Sequence, residues 1–256
     1  MALWVRFDYQ GTTGFGTASG NIVSIHEGNM FDNPQPTGKT LKLDEVSLLT
    51  PSIPTKMIAL WNNFRMLAEK LGLSRPPEPL YLLKGGNSFF PHGQNIRKPS
   101  SYDGKVVFEG ELGIVIGKQL TGADEEEAEA GIFGYTVVND VTAAEIINRD
   151  NSFAQWVRAK SYDTFGVFGP VIATGIKPES LSVQTVLNGE ERQNYPISDI
   201  VFPPVKLVSL ISHDMTLMPG DVIACGTNVG VGSMKPGSLV EVTIDGIGTL
   251  SNTYAA

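Results

Sequence analysis

Four side chains in this sequence have the types and spacing to act together. They are Glu109 and Glu111 in VVFEGELGIVIG, Asp140 in GYTVVNDVT, and Lys160 in RAKSYDTF. Glu109 and Glu111 stand two apart in a run rich in Val and Ile, a spacing that on a strand turns both carboxylates to one face. Asp140 closes a second apolar run. Three carboxylates brought together make an all-oxygen site of the kind that suits Mg²⁺, Mn²⁺ or Ca²⁺.

The elements that must position these groups are short and mixed. Residues 1–50 carry β-like runs broken by Gly and polar residues and read as a small β-rich N-terminal domain, with Pro51 and Pro54 marking the boundary. Residues 51–256 form the second domain. Apolar residues at helical spacing predict a helix from about Lys56 to Leu71, stopped by Gly72. TGADEEEAEAG reads as a short acidic helix and VKLVSLISHDMTL as a longer apolar-periodic one. IFGYTVVND reads as a strand. Thr142 and Glu145 have capping-box spacing, which predicts a helix starting within two residues of Asp140. SVQTVLNGEERQNYP is a hairpin turning at Asn188-Gly189. There is no βαβα alternation, so the predicted class is α+β and β-rich.

Bulk properties exclude several functions. A net charge of −8 disfavours binding of a phosphate backbone, and no nucleic-acid partner is expected. No apolar run is long enough to span a bilayer, and no membrane partner is expected. A single cysteine, Cys225, allows no intrachain disulfide. A cytoplasmic location is the expectation. No Gly-x-Ser-x-Gly elbow or zinc-type His spacing appears.

FEGELGIVIGK, GYTVVNDVTA, WVRAKSYDTFGVFGP, LISHDMTLMPGDVIACGT and GTNVGVG, in that order, resemble the fumarylacetoacetate hydrolase superfamily. The similarity runs over nearly all of residues 55–252. It implies a mixed β-roll catalytic domain behind a small N-terminal β domain, usually as a homodimer. It also implies that Glu109, Glu111 and Asp140 ligate a divalent metal and that Lys160 contacts a substrate oxygen near it. Gly226 and Thr227 match a turn that holds a substrate carboxylate or keto group. Family members act on 2-oxo and β-diketo acids.

The chain departs from the family pattern in its lid. WNNFRMLAEKLG lacks the water-activating histidine, whose place falls at Leu67, with Arg65, Glu69 and Lys70 nearby. Glu69 and His92, the latter in SFFPHGQNIRKP, are the alternative candidates for proton handling. Ala144 and Ile147 stand where many members carry Arg and Gln, and Asn62 where many carry Arg. Arg65, Arg149 and Gln155 are the candidates to replace those substrate contacts. Taken alone, Thr227 reads as a turn residue, His92 as a loop residue and Arg65 as a solvated helix residue.

Three functions are therefore expected, in order. The first is metal-dependent C–C hydrolysis of an acylpyruvate- or fumarylacetoacetate-like acid. The second is metal-dependent decarboxylation of a β-keto acid or isomerisation of a hydroxydienoate, which needs no activated water. The third is a non-catalytic ligand-binding protein on the same fold.

Overall fold

The computed structural model of the chain describes residues 1–255. Four strands open it as a meander: β1 (Ala2–Tyr9), β2 (Thr12–Ser19), β3 (Ile22–Asn29) and β4 (Asp32–Lys42). Then follow β5 (Ser47–Leu48), β6 (Met57–Trp61), α1 (Arg65–Leu71), β7 (Leu80–Lys84), β8 (Phe89–Phe90) and β9 (Ile96–Arg97). The middle of the chain supplies β10 (Val106–Phe108), β11 (Gly110–Ile116), α2 (Glu125–Gly131), β12 (Ile132–Asp140), β13 (Thr142–Ala143), α3 (Trp156–Lys160) and β14 (Gly166–Thr174). It ends with β15 (Ser182–Leu187), β16 (Glu190–Pro196), α4 (Pro204–Asp214), β17 (Val222–Ala224), β18 (Gly232–Met234), β19 (Leu239–Ile244) and β20 (Gly248–Ala255).

The largest sheet runs β4-β3-β2-β1-β14-β12-β11-β17-β6-β7. A second sheet has the order β16-β15-β19-β20-β9, and β13-β10-β18 form a third. The N-terminal strands do not make a separate sheet: β1 pairs antiparallel with β14, Trp4 opposite Ile172.

The central strands of the large sheet, β11, β12, β14 and β17, are buried on both faces, while β2, β3 and β4 stay largely exposed or half-buried. Leu112, Ile114, Val137 and Val167 join Val183, Val242 and Leu250 of the second sheet in one core. Their alternating neighbours Val115, Val138, Phe168, Met57, Ala59, Leu82 and Ala224 form another. The sheet also curls, because β8 pairs parallel with β14, Phe89 opposite Gly166. That pairing carries the end of β7 round to the start of β14, across the roll from β12. Buried Asp221 fixes the entry to β6, accepting from Thr55 N at 2.8 Å and Lys56 Nζ at 2.6 Å.

The α+β, β-rich class and the β-roll expected from the sequence are found. Two local expectations are corrected. The helix expected from Lys56 is instead strand β6, with helix only over Arg65–Leu71. The run MIALW is buried on both faces, and a continuous apolar run does not distinguish strand from helix. Gly72 does end α1, at φ 67°. Thr142 starts no α-helix; it lies in β13, followed by a 3-10 turn over Ala144–Ile146. Its hydroxyl is used by Glu109 instead, while a true capping box forms between Asp124 and Glu127 at α2. Asn188 and Gly189 take the positive φ values, 53° and 81°, of the expected turn. Among the described residues, no helix is long and apolar enough to cross a membrane.

Candidate active site

Glu109, Glu111 and Asp140 converge at one end of the roll, with a carboxylate oxygen from each within 4.8 Å of the others. The backbone imposes this. Glu111 lies opposite Val138 in the β11–β12 ladder, and the Asp140 N–H donates to the Glu109 carbonyl at 2.9 Å. Residues directly opposite in an antiparallel ladder share a face, so 109, 111, 138 and 140 point the same way. Asn139, on the opposite face, caps the arrangement by accepting from Glu109 N at 3.1 Å.

Two lysines enter this cluster from different elements. Lys160, the last residue of α3, donates to Asp140 Oδ2 at 2.5 Å, Thr142 Oγ1 at 2.7 Å and Glu109 Oε2 at 3.0 Å. Lys84, the last residue of β7, forms a short ion pair with Asp140 Oδ1 and donates to Val141 O at 3.3 Å. Its side chain is wholly buried. Three carboxylates and two ammonium groups leave one net negative charge.

The charges divide the acids. Burial pushes the Asp140 carboxyl up, but Lys160 and Lys84 together hold it below the usual carboxylate value. Burial lowers Lys160, yet Asp140, Glu109 and Glu111 together carry it above an ordinary lysine. For Lys84 burial wins over Asp140, and its pKa is lowered. Glu111 receives no lysine. Burial first, then the Asp140 and Glu109 charges, push it well above the ordinary range.

Glu111 is 0% exposed; Oε2 accepts from Gly226 N at 2.7 Å, and Oε1 has no hydrogen-bond partner. An isolated buried carboxylate oxygen is costly, and a cation among three carboxylates would offset that cost. The donor set is all oxygen, which fits a hard divalent ion. Glu109, at 15% side-chain exposure, is the most open of the three, so the site faces solvent on its side.

The structure sets Gly226 and Thr227 beside this cluster. Gly226 takes φ 90°, where a Cβ would lie 3.3 Å from Leu60 O. That conformation aims its N–H at Glu111. The Thr227 hydroxyl donates to Gly110 O at 2.9 Å and accepts from Gln193 Nε2 at 2.8 Å.

The remaining sequence candidates have other partners. His92 Nδ1 accepts from Ser251 N at 3.1 Å, in a recess shared with Asn21, Leu43 and Asp44. Arg65 donates to Ser198 O at 3.1 Å from an exposed turn of α1, and Glu69 is exposed on the same helix. Arg149 lies over the Tyr102 ring, 5.9 Å from its centre. Gln155 precedes α3 and accepts from Arg158 at 3.0 Å. None of the five hydrogen-bonds to the three carboxylates or to Lys160.

Lys84, Thr142 and Gln193 escaped the sequence reading. Lys84 had a signal: it is in phase with buried Leu82 on a strand, which turns a lysine inward. Thr142 has the local pattern of a helix cap, but its hydroxyl bonds Glu109 and Lys160. Gln193 is an unremarkable residue in a polar hairpin, and only the tertiary packing gives it meaning.

Comparison with known proteins gives the family and the fold. Residues 56–255 match the family model for the C-terminal region of fumarylacetoacetate (FAA) hydrolase, and residues 3–51 match an Rv2993c-like N-terminal model. Oxaloacetate tautomerase YisK of Bacillus subtilis is 37% identical over 82% of this chain and 73% of its own. The 2-hydroxyhepta-2,4-diene-1,7-dioate isomerase of Mycobacterium marinum superposes with TM-score 0.91 at 32% identity, covering 100% of this chain and 98% of that one. A fumarylacetoacetate hydrolase from Exiguobacterium antarcticum superposes with TM-score 0.86 at 28% identity, covering both chains fully. The chain belongs to the fumarylacetoacetate hydrolase family.

Proposed function

We propose that this protein is a divalent-cation-dependent enzyme that forms and reprotonates the enolate of a 2-oxo acid, in a tautomerisation, isomerisation or decarboxylation. The observation that carries this reading is the convergence of two buried lysines on the acidic triad, with no imidazole hydrogen-bonded to it among the described residues. Glu109, Glu111 and Asp140 would hold the ion. Mg²⁺ or Mn²⁺ there supplies Lewis-acid polarisation of a 2-oxo acid's oxygens.

The chain's own groups do the rest. Lys160 stabilises negative charge developing on the substrate's keto oxygen. Its bond to Glu109 is the longest of its three, at 3.0 Å, and is the one most readily exchanged for a substrate oxygen. Lys84 stays with Asp140, so that carboxylate remains ionised and fixed while Lys160 is drawn to substrate. The net charge of the cluster becomes +1 with a divalent ion, which favours anionic substrates.

Decarboxylation forms the enolate by loss of CO₂, and tautomerisation or isomerisation moves one proton off and back onto carbon through a base. C–C hydrolysis asks in addition for an activated water. Among the described residues the histidines are engaged elsewhere: His26 with Ser24 O, His92 with Ser251 N and His213 with Ser209 O. Enolate chemistry without water activation therefore stands ahead of hydrolysis. The named relatives that are a tautomerase and an isomerase lend the same weight.

Calorimetric titration of oxalate, a planar mimic of enolpyruvate, tests this reading. Binding that requires Mg²⁺ is expected. Absence of binding with Mg²⁺ present would contradict it. Product analysis on a 2-oxo acid panel then separates enol–keto interconversion, CO₂ release and C–C cleavage into two acids.

A further inference from the structure

The peptide between the paired carboxylates is gripped from a different sheet. Gly110 separates Glu109 from Glu111. Its N–H donates to Gln193 Oε1 at 3.0 Å, and its carbonyl accepts from the hydroxyls of Thr227 at 2.9 Å and Tyr195 at 2.6 Å. Gln193 belongs to β16 of the second sheet and is 1% exposed.

The amide of Gln193 is fully used. Oε1 also accepts from Thr185 Oγ1 at 2.9 Å, while Nε2 donates to Thr227 Oγ1 at 2.8 Å and Asn228 O at 3.2 Å. Its orientation is fixed, because the Gly110 N–H can only donate and the Asn228 carbonyl can only accept. The fit is close: a Cβ on Gly110 would lie 2.2 Å from Thr185 Oγ1 and 3.1 Å from Gln193 Oε1. One side chain thus ties the spacer of the paired acids to the turn that carries Thr227.

We propose that Gln193 is a positioning residue for the cation site, an inference that rests on the metal-site reading above. Gln193 bonds to none of the three carboxylates. It fixes the Glu109–Gly110–Glu111 backbone, and so the separation of two of the three acids. It also fixes the Thr227 turn against that backbone. Outer groups that orient metal ligands govern about 10–100-fold in affinity. Here the held group is the ligands' own connecting peptide, so both acids move if it is released.

The test is Mn²⁺ titration of the full chain, followed by electron paramagnetic resonance, for the parent, Gln193→Leu and Gln193→Asn. Leucine has similar volume without the amide. Asparagine keeps the amide but is one methylene too short to span from Gly110 to Asn228. Both are expected to bind Mn²⁺ about 10–100-fold more weakly and to change the bound-ion spectrum. Leu207→Ala, a cavity in α4, which supplies none of the network's hydrogen bonds, is the control for stability loss and should keep parental affinity. Parental Mn²⁺ affinity in the Gln193 variants would overturn the proposal, as would an equal loss in Leu207→Ala. If Gln193→Leu does not fold, Gln193→Asn alone decides. A parent that binds no Mn²⁺ would overturn the metal-site reading and this proposal together, a result distinct from equal binding by parent and variants.

Discussion

Replacing Glu111 by Gln should strengthen the metal-free fold and abolish its response to metal. The side chain is fully buried, with Oε1 unpartnered and Oε2 on Gly226 N. Gln is isosteric, keeps an oxygen for Gly226, and places an amide N–H at the unpartnered Oε1 position of a residue that belongs to the acidic cluster. Relieving an unsatisfied buried group recovers about 1–3 kcal/mol, which at roughly 2–4 °C per kcal/mol raises Tm by about 2–12 °C in EDTA. The effect depends on pH. Because the folded Glu111 carboxyl titrates well above its unfolded value, the fold binds a proton that the unfolded chain releases. The Glu111 contribution to the parent's metal-free stability is therefore greatest below the unfolded carboxylate pKa, about 4.3, and falls as pH rises toward the folded value. Its sign is opposite to that of Asp140, whose carboxyl is lowered. The variant lacks the Glu111 contribution, so its advantage grows with pH over the same window. Saturating Mn²⁺ at about 100 times Kd should return about 2.7 kcal/mol to the parent, roughly 5–11 °C, and nothing to the variant. Differential scanning calorimetry in EDTA and in Mn²⁺, at acid and neutral pH, reads all of this. A variant that melts below the parent in EDTA, or gains as much from Mn²⁺, would refute the reasoning.

Two further substitutions probe the cluster from other sides. Lys84→Met removes one partner of a buried ion pair and should cost about 3 kcal/mol, at the low end of the usual range because Lys160 still balances Asp140. Urea unfolding measures this, and unchanged stability would remove Lys84 from the cluster's charge balance. His92→Ala should leave turnover within about twofold, because its ring is bound to Ser251 N; a loss of about 10²-fold or more would mark it as the proton carrier.

Much of this site was legible because its signals are local. Spacing of two within an apolar run placed Glu109 and Glu111 on one face, and the β11–β12 ladder then delivered Asp140. What escaped was set by long-range packing. The end of β7 meets Asp140 only because β8 pairs with β14, and nothing near Lys84 in the chain announces that closure. Gln193 acts across two sheets. Thr142 misled for the opposite reason: its local pattern was that of a helix cap, and a bond to Glu109 33 residues away prevailed. Candidates chosen by nearness in sequence, Arg149 and Gln155, bond outside the cluster because the chain between Asp140 and α3 carries them outward.

The reaction proposed for this cluster passes through an enolate. Hydrogen–deuterium exchange at C3 of a 2-oxo acid in D₂O, followed by proton NMR, tests it without knowledge of the natural substrate. Exchange well above the protein-free rate is expected, requiring Mg²⁺ or Mn²⁺ and lost in Lys160→Met. Protein-catalysed exchange that persists in EDTA or in Lys160→Met would contradict it, as would none with metal present across a panel of 2-oxo acids.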